Sequence, residues 1–280
     1  MNRNPSSPCR EAGLHHTTSA TPTNALKGFV FDIDGILWIG GAAHPTAARL
    51  LDHLSAGSRP FCLLTNDCSC AASERAAALG SAGLDLKCHN LLTPAKIAHE
   101  WLTSENLTTV YYLGAPGVLN DLRDPPLLVS DQPSVDAVVV GDVFGNYSRA
   151  SLDRAAQAIL QGARFIALQR NRTWDDGTGR AFIDNGFWIA GLEYVTNVQA
   201  TVMGKPSPVS FGAALRALAL SNDEIASVGM VSDDPESDLK GAKEYGFSTI
   251  YVGGRSKIPN WIDHAFRDLS DFEHAFLGGT

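Results

Sequence analysis

The sequence contains no long apolar stretch and few cations, and each shortage excludes a class of protein. No window approaches the roughly 18 uncharged apolar residues of a membrane span, so we expect no transmembrane helix. The 22 basic residues are outnumbered by 30 acidic ones, and the net charge is −8. A protein that coats nucleic acid needs a basic surface, so we expect no nucleic-acid partner. A local phosphate-binding cleft stays compatible with this charge.

The cysteine content argues against a disulfide framework. Five cysteines are an odd number, and a chain of 280 residues does not need covalent cross-links to fold. We therefore expect reduced thiols and a cytoplasmic location. Cys68 and Cys70 are spaced like a soft-metal or redox pair, but no second Cys or His pair stands at zinc-site spacing. We expect no metal or redox site there.

The remaining composition is that of an ordinary globular protein, with 44% hydrophobic residues. At about 150 residues per domain, the length predicts two domains or one domain with a large insertion. Residues 1–25 are rich in Ser, Thr, Pro and Asn without an apolar run. They predict a disordered tail rather than a secretory signal.

Short apolar runs alternate with Ala- and Leu-rich stretches at helical spacing. The alternation predicts βαβ units, and hence an α/β fold with helices on both faces of a parallel sheet. Thr93 followed by Pro94 is a typical helix start. The predicted strands are 28–33, 60–64, 110–113, 135–140, 164–168, 200–203, 226–231 and 248–252. The predicted helices include stretches within 47–54, 95–102, 152–160, 211–218 and 238–245.

Ligands of open parallel sheets bind at the carboxyl ends of the strands, so the polar residues after each run are the site candidates. The first run delivers Asp32 and Asp34 before a turn at Gly35. Two carboxylates at this spacing can converge on one hard cation. An ionised Asp32 can act as a nucleophile, and Asp34 can protonate a leaving group. Solvated turn aspartates, or the metal-binding pair of a glycosyltransferase, remain alternatives.

Three later strand ends carry further candidates. Thr65 and Asn66 offer donors to an anionic oxygen, although helix capping alone explains such residues. Lys205, in Gly-Lys-Pro-Ser-Pro, can neutralise a phosphate, although most lysines are simply exposed. The acids Asp233, Asp234 and Asp238 can complete a cation's oxygen shell or cap the following helix.

The order of these motifs resembles the haloacid dehalogenase (HAD) superfamily of aspartate-nucleophile phosphohydrolases. Asp-x-Asp, Thr, Lys and an acidic cluster follow one another, each at a predicted strand end. The long segment before Lys205 and the Gly-Lys-Pro-Ser-Pro motif resemble the type IIA branch, which includes NagD-like nucleotide and sugar phosphatases and pyridoxal phosphate phosphatase. The branch also includes the phospholysine, phosphohistidine and pyrophosphate phosphatases, and the run 190–194 resembles that group most. The resemblance covers residues from about 27 to about 253. It implies a Rossmann-like three-layer core with an inserted α/β cap of C2 type.

The resemblance also implies roles for the candidate residues. Asp32 would attack phosphorus and form an aspartyl-phosphate, while Asp34 would serve as general acid and base. Thr65, Asn66 and Lys205 would bind the phosphoryl group, and Lys205 would also act in catalysis. The family uses Mg²⁺, whose predicted ligands here are Asp32, Asp34, Asp233 and Asp238. Asp238 could support Lys205 instead.

Three positions depart from the family's pattern. Ile36 replaces the usual Thr after Asp-x-Asp-Gly, and Ser232 replaces a Gly and could crowd its loop. Asp67 stands where Asn is common and adds negative charge near an anionic substrate. None removes a catalytic group, so we expect an active enzyme with altered rate or selectivity.

The resemblance predicts a split core of residues 26–102 and 201–280, with a cap of 103–200 between the halves. We expect the cap to select the substrate, and Arg170 and Asn171 are the candidate contacts. An interface is the alternative role for that loop. A homodimer through the cap is also expected from relatives.

The predicted function is Mg²⁺-dependent hydrolysis of a small phosphorylated metabolite. Two rivals are a glycosyltransferase, which would not need Thr65, Lys205 and Asp233, and a HAD-fold binding protein, which would be expected to lack Asp32 or Asp34. Sugar phosphates, nucleotides, pyridoxal phosphate, pyrophosphate and phosphorylated amino-acid side chains all remain open as substrates.

Overall fold

The computed structural model describes residues 25–57, 59–84, 91–123, 127–132, 134–143, 145, 147–175 and 178–277. The predicted disordered tail lies outside these residues except for Ala25, and so do Cys9 and Cys88. The described strands are β1 Gly28–Phe31, β2 Trp38–Ile39, β3 Ala42–Ala43, β4 Phe61–Leu64, β5 Leu91–Leu92, β6 Thr109–Leu113, β7 Leu128–Val129, β8 Ala137–Val140, β9 Arg164–Ala167, β10 Thr173–Asp175, β11 Ala181–Ile183, β12 Thr201–Val202, β13 Val228–Ser232, β14 Ser248–Val252 and β15 His264–Phe266. The described α-helices are α1 Ala47–Ala56, α2 Ala72–Ser81, α3 Pro94–Ser104, α4 Leu119–Leu122, α5 Arg149–Leu160, α6 Gly186–Thr196, α7 Pro208–Ala217, α8 Lys240–Tyr245 and α9 Leu269–Leu277.

The first and last parts of the described chain share one six-stranded sheet. Its order is β15-β14-β13-β1-β4-β5, and each neighbouring pair is parallel. The central strand β1 is buried throughout, as expected for a parallel strand with helices on both faces. Polar residues after β1, β4 and β13 therefore meet at one edge of this sheet.

Alternate side chains of β1 enter two different apolar layers. Phe29 and Phe31 pack edge-on against Phe272 of α9, in a cluster that also contains Leu50 of α1. Val30 belongs to the opposite cluster with residues of α7 and α8. A sheet between two helical layers confirms the predicted α/β fold class.

A second parallel sheet is formed by the chain between β5 and β13. Its order is β12-β9-β8-β6-β7, with α5 and α6 packed on one face. Its last strand, Thr201–Val202, lies just beyond the predicted cap boundary at residue 200. The opposite face of this sheet contributes Val139 and Ile166 to the same apolar cluster as Val30. One continuous apolar cluster thus joins the two sheets.

All eight predicted strands are present, with ends shifted by a few residues. Thr93 caps α3 as predicted, because its side chain accepts the N–H of Lys96. Several elements were not predicted, including α2, α6, α9, β15 and the hairpins β2–β3 and β10–β11. Short strands and a helix that is apolar nearly all round give no clear periodicity.

Helix α6 leaves large apolar side chains exposed. Phe187 is 57% exposed, Tyr194 88% and Val195 60%. The homodimer expected through the cap stays a prediction. No helix within the described ranges has the length and apolarity needed to cross a membrane.

In both sheets, an aspartate just before one strand accepts hydrogen bonds from threonine at the start of the neighbouring strand. Asp136, before β8, accepts the backbone N–H groups of Thr108 and Thr109, and these bonds lower its pKa. Asp263, before β15, accepts the N–H and hydroxyl of Thr249 and pairs with Lys243. Burial alone would raise the pKa of Asp263, but the bonds from Lys243 and Thr249 outweigh it and lower that pKa.

We predict that Asp263→Asn lowers the free energy of unfolding at pH 7 by about 1–3 kcal/mol, because it removes a charge that accepts several hydrogen bonds. The pKa of this carboxylate is lower in the folded protein than in the unfolded chain, where it is about 3.9. Its ionised form therefore stabilises the fold fully at pH values above the unfolded pKa. This contribution disappears as pH falls through the lower, folded value. Urea unfolding between pH 7 and pH 3 should therefore show the two proteins converging. An equal difference at both pH values would contradict the electrostatic explanation; Asp153→Asn, on an exposed surface of α5, is the control.

Candidate active site

The polar residues that follow β1, β4, β12 and β13 line one large cavity between the two sheets. Its volume is about 1270 Å³. The cavity is bordered by all the predicted core candidates, namely Asp32, Asp34, Thr65, Asn66, Lys205, Asp233 and Asp238. It is also bordered by Arg170 and Asn171 of the second sheet's connections. The topology thus brings together residues that are up to 206 positions apart.

A buried lysine lies at the base of this cavity, between two carboxylates. Lys205 is 3% exposed, and its Nζ donates to Asp32 Oδ1 at 2.6 Å and to Asp238 Oδ2 at 2.7 Å. Burial alone would lower the pKa of Lys205, but the charges of Asp238 and Asp32 raise it above its ordinary value. The lysine therefore stays a cation at neutral pH.

Asp32 is held in a defined orientation at the end of β1. The N–H of Ile33 donates to its Oδ1 at 2.9 Å. Burial raises the pKa of Asp32, and Lys205 opposes that rise. Its carboxylate thus depends on nearby positive charge to stay ionised.

Asp34, Gly35 and Asp233 lie close together beside Asp32. Asp233 packs so tightly on the turn that a Cβ at Gly35 would lie 2.4 Å from its Oδ2, and Gly35 has a φ of +84° that favours glycine. Burial raises the pKa of Asp34 and of Asp233, and the neighbouring acid Asp238 raises that of Asp233 further. Crowded carboxylates with raised pKa values are typical of a site that takes a cation.

These residues fit a magnesium ion as a set of oxygen donors. Among the residues that the structure describes, no three His, Cys, Asp or Glu side chains form a metal-binding group. The family's ligand set does not require one, since it combines Asp32 and Asp233 with the backbone carbonyl of Asp34. Asp238 was predicted as a ligand, but its Oδ2 accepts both Lys205 Nζ and the Ser232 hydroxyl. This geometry favours the alternative role of supporting Lys205.

Asn66 holds the backbone of Lys205 rather than facing the cavity freely. Its Oδ1 accepts the Lys205 N–H at 2.7 Å, and its Nδ2 donates to the Lys205 carbonyl at 2.9 Å. Gly204 permits this approach, since a Cβ there would lie 2.5 Å from Asn66 Oδ1. Thr65, 1% exposed, accepts the N–H of Asp67 and keeps its own hydroxyl proton for another acceptor.

Arg75 is a cavity residue that sequence reasoning missed. It lies on α2, and its Nε donates to Asp67 Oδ2 at 2.8 Å while Nη2 pairs with the same oxygen. The charge that Asp67 adds is therefore compensated within the cavity wall. The sequence gave no sign of this pair, because Asp67 and Arg75 are eight residues apart and the helix that carries Arg75 was not predicted.

The other two departures are also accommodated. Ser232 is fully buried, and its hydroxyl donates to Asp238 at 2.8 Å and accepts the Asp234 N–H. The hydroxyl thus adds a link to the lysine's support, and it does not crowd the loop. Ile36 packs in the apolar cluster around α1 and α9.

The two predicted cap residues are both near the core but in different ways. Asn171 Oδ1 accepts Asn66 Nδ2 at 3.2 Å, which ties the cap loop to the residue that holds Lys205. Arg170 forms an ion pair with Glu193 of α6 at 2.5 Å, so its charge is already matched. Further cap residues on the cavity were not predicted, including Gln169, Asp184, Asn185 and Trp188.

Known proteins share this sequence and architecture. A family model of haloacid dehalogenase-like hydrolases matches residues 29–125, and a HAD-hydrolase-like model matches residues 202–267. An acid sugar phosphatase of Staphylococcus haemolyticus is 30% identical over 228 residues, which cover 81% of this chain and 84% of that protein. The ribonucleotide monophosphatase NagD of Escherichia coli K12 is 29% identical over 248 residues, covering 85% and 95%.

Solved structures show the same likeness. NagD from E. coli K-12 superposes with a TM-score of 0.77 at 25% identity, covering 88% of this chain and 98% of that one. A 4-nitrophenylphosphatase from Thermotoga maritima shares the fold with a TM-score of 0.81 at 21% identity, covering 91% and 99%. The matches to NagD agree with the predicted type IIA branch. The chain belongs to the haloacid dehalogenase-like hydrolase family, and it is a phosphatase of that family.

Proposed function

We propose that this phosphatase hydrolyses a small phosphorylated metabolite with Mg²⁺, through an aspartyl-phosphate on Asp32. The observation that carries the proposal is the Lys205 ammonium, buried between Asp32 and Asp238 at the base of a cavity that Asp34, Thr65 and Asp233 also line. The names of the relatives, an acid sugar phosphatase and a ribonucleotide monophosphatase, support a sugar or nucleotide monophosphate as the substrate.

In the first step, an Asp32 carboxylate oxygen attacks phosphorus, and the bond from phosphorus to the leaving oxygen breaks. Lys205 stays bound to Asp32 Oδ1 and opposes the rise in the pKa of Asp32 that burial causes, which favours the ionised carboxylate whose oxygen lone pair attacks. Asp34 gives its proton to the leaving oxygen, and the alcohol departs. The pKa of Asp34 is raised by burial in the cavity, which favours the protonated form that this step needs.

In the second step, Asp34 accepts a proton from water, and the water oxygen attacks phosphorus. The bond between phosphorus and Asp32 breaks, which releases inorganic phosphate and restores the carboxylate. Together the two steps consume one water and one phosphate ester, and Asp34 ends in its starting state. The two steps therefore balance without any other reactant.

The remaining core residues position the phosphoryl group and balance its charge. Thr65 can donate its hydroxyl proton to a phosphoryl oxygen, since its own oxygen accepts Asp67 N–H. Asn66 holds the Lys205 backbone through its N–H and its carbonyl, while Asp32 and Asp238 hold the ammonium in place. Positioning and charge stabilisation supply most of the catalysis in phosphoryl transfer.

Mg²⁺ would be held by Asp32, Asp233 and the backbone carbonyl of Asp34, and it would supply positive charge against the phosphoryl oxygens. The need for this charge follows from the site itself. Three crowded carboxylates with raised pKa values stand beside a single lysine whose charge is already shared by two partners. A phosphate dianion would be repelled from such a site without a further cation.

We predict that Asp32→Asn lowers kcat for p-nitrophenyl phosphate by roughly 10³-fold or more, because an amide is not a nucleophile of this kind. Release of p-nitrophenol with Mg²⁺ measures the rate, and a chelator should abolish it until Mg²⁺ is restored. The amide keeps an acceptor for Lys205, so the far-ultraviolet circular dichroism should match that of wild type. Undiminished turnover by the variant, or turnover without any divalent cation, would rule out the proposed mechanism.

We predict that Arg75→Gln raises KM for a phosphate monoester by roughly tenfold, because Asp67 is left uncompensated in the cavity wall and repels the substrate dianion. The double variant Asp67→Asn with Arg75→Gln removes that charge, and its KM should return most of the way to wild type. Steady-state kinetics of wild type, Asp67→Asn, Arg75→Gln and the double variant form a double-mutant cycle. A double variant as impaired as Arg75→Gln alone would show that Arg75 contacts the substrate directly.

A further inference from the structure

A cap carboxylate, Asp184, borders the same cavity as the core aspartates. It comes just before Asn185, the N-cap residue of α6, and it lines the same cavity as Asp32 and Lys205. Burial raises the pKa of the Cys68 thiol, and the charge of Asp184 adds to that rise. Asp184 is therefore within electrostatic reach of the core loop that also carries Thr65 and Asp67.

One oxygen of Asp184 is held rigidly by the cap itself. Its Oδ1 accepts Gln169 Nε2 at 2.8 Å and the Asn185 N–H at 2.6 Å. Gln169 is only 4% exposed, and its own Oε1 accepts the Asn171 N–H. A carboxylate that receives two donors on one oxygen has a fixed orientation, so its second oxygen has a fixed direction too.

The backbone around Asp184 is equally constrained. The Asp184 N–H donates to the Arg172 carbonyl at 3.1 Å, and the Gly186 N–H donates to the Asn171 carbonyl at 2.8 Å. A Cβ at Gly186 would lie 2.5 Å from that same carbonyl oxygen. The turn is thus pressed against the loop that reaches Asn66, and the position of Asp184 is coupled to the core site.

The second oxygen of Asp184 accepts no hydrogen bond from any residue that the structure describes. A carboxylate oxygen without a donor in a cavity of about 1270 Å³ is a ready acceptor for a ligand. The chemistry that suits it is an O–H or N–H donor on the part of the substrate that leaves. A negatively charged group at the same place would meet repulsion instead.

The charge of the whole cavity points in the same direction. Nine carboxylates and four cationic side chains line it. Three of those cations are already paired: Arg75 with Asp67, Arg170 with Glu193, and Lys205 with two core aspartates. A divalent cation at the catalytic end would offset this excess only in part. The cap contributes Asp142 and Asp184 against Arg170 and Arg172, so the repulsion of an anionic leaving group there falls to Asp184 itself and not to a net charge of the cap.

We propose that Asp184 is a specificity-determining residue that accepts a hydrogen bond from a hydroxyl or ammonium group of the leaving alcohol, and that it rejects leaving groups carrying a second negative charge. The proposal rests on the phosphatase function proposed above. It adds that the substrate is a monophosphate ester whose alcohol is neutral or cationic and carries a hydroxyl or ammonium group. A carboxylate or second phosphate on the leaving group would be excluded.

The test compares two matched esters, glycerol 3-phosphate and 3-phosphoglycerate, which differ in a terminal hydroxymethyl or carboxylate group. Phosphoethanolamine supplies the ammonium donor, and p-nitrophenyl phosphate supplies a leaving group without a donor. The kcat/KM of each ester is measured with Mg²⁺ for wild type, Asp184→Asn and Asp153→Asn. The amide oxygen that Asp184→Asn introduces can still accept Gln169 and the Asn185 N–H, so the loop is preserved.

Wild type should prefer glycerol 3-phosphate or phosphoethanolamine over 3-phosphoglycerate by roughly tenfold or more. Asp184→Asn should lower that preference by about tenfold. The amide NH₂ cannot accept a hydrogen bond from the hydroxyl or ammonium group of the preferred esters, and it can donate one to the carboxylate of 3-phosphoglycerate. The preference of wild type between the hydroxyl and ammonium esters identifies the donor. Asp153→Asn, on an exposed surface of α5, should keep the wild-type preference.

Two results would overturn the inference while leaving the proposed function intact. One is a wild type that hydrolyses 3-phosphoglycerate as well as glycerol 3-phosphate. The other is an Asp184→Asn variant in which all four esters decline in parallel, which would mark Asp184 as a structural residue. Failure of wild type to hydrolyse any ester, p-nitrophenyl phosphate included, would instead overturn the proposed function and this inference with it.

Discussion

The buried ammonium of Lys205 is the interaction on which the rest of the site depends. A lysine 3% exposed is stable only with close partners, and Asp32 and Asp238 supply them. Its backbone is bracketed by Asn66, and that bracket requires Gly204. Segments from both halves of the core therefore converge on one charge, and a change in any of them alters the partner that holds Asp32.

Two further ion pairs balance charges around this lysine. Asp67 enters the cavity wall with Arg75 as its partner, and Arg170 enters with Glu193. Each pair places a charge near the substrate without adding to the net charge of the cavity. Most of the cavity's carboxylates lie on the core, so under the proposed function the phosphoryl group would depend on Lys205 and a bound cation, while the leaving group would meet Asp184. An acidic protein can thus bind a phosphate at one end of its cavity.

The alternation of apolar runs and helical stretches was enough to predict the fold class, because a parallel strand buried on both faces must be apolar throughout. The strand β15 and helices α2 and α6 were missed for physical reasons. β15 has only three residues, and α6 is apolar nearly all round, so neither has a readable period. The Asp67–Arg75 pair was missed together with α2.

The sequence by itself determined the order of the chemical groups. Asp32, Asp34, Thr65, Lys205 and Asp233 each follow an apolar run, and parallel strands deliver such residues to one sheet edge. Only the tertiary structure decided which groups touch. It bound Asp238 to Lys205, turned Asn66 toward the Lys205 backbone and placed Asp184 on the wall of the same cavity. Such contacts join positions far apart in the chain, and their geometry depends on packing that local patterns do not encode.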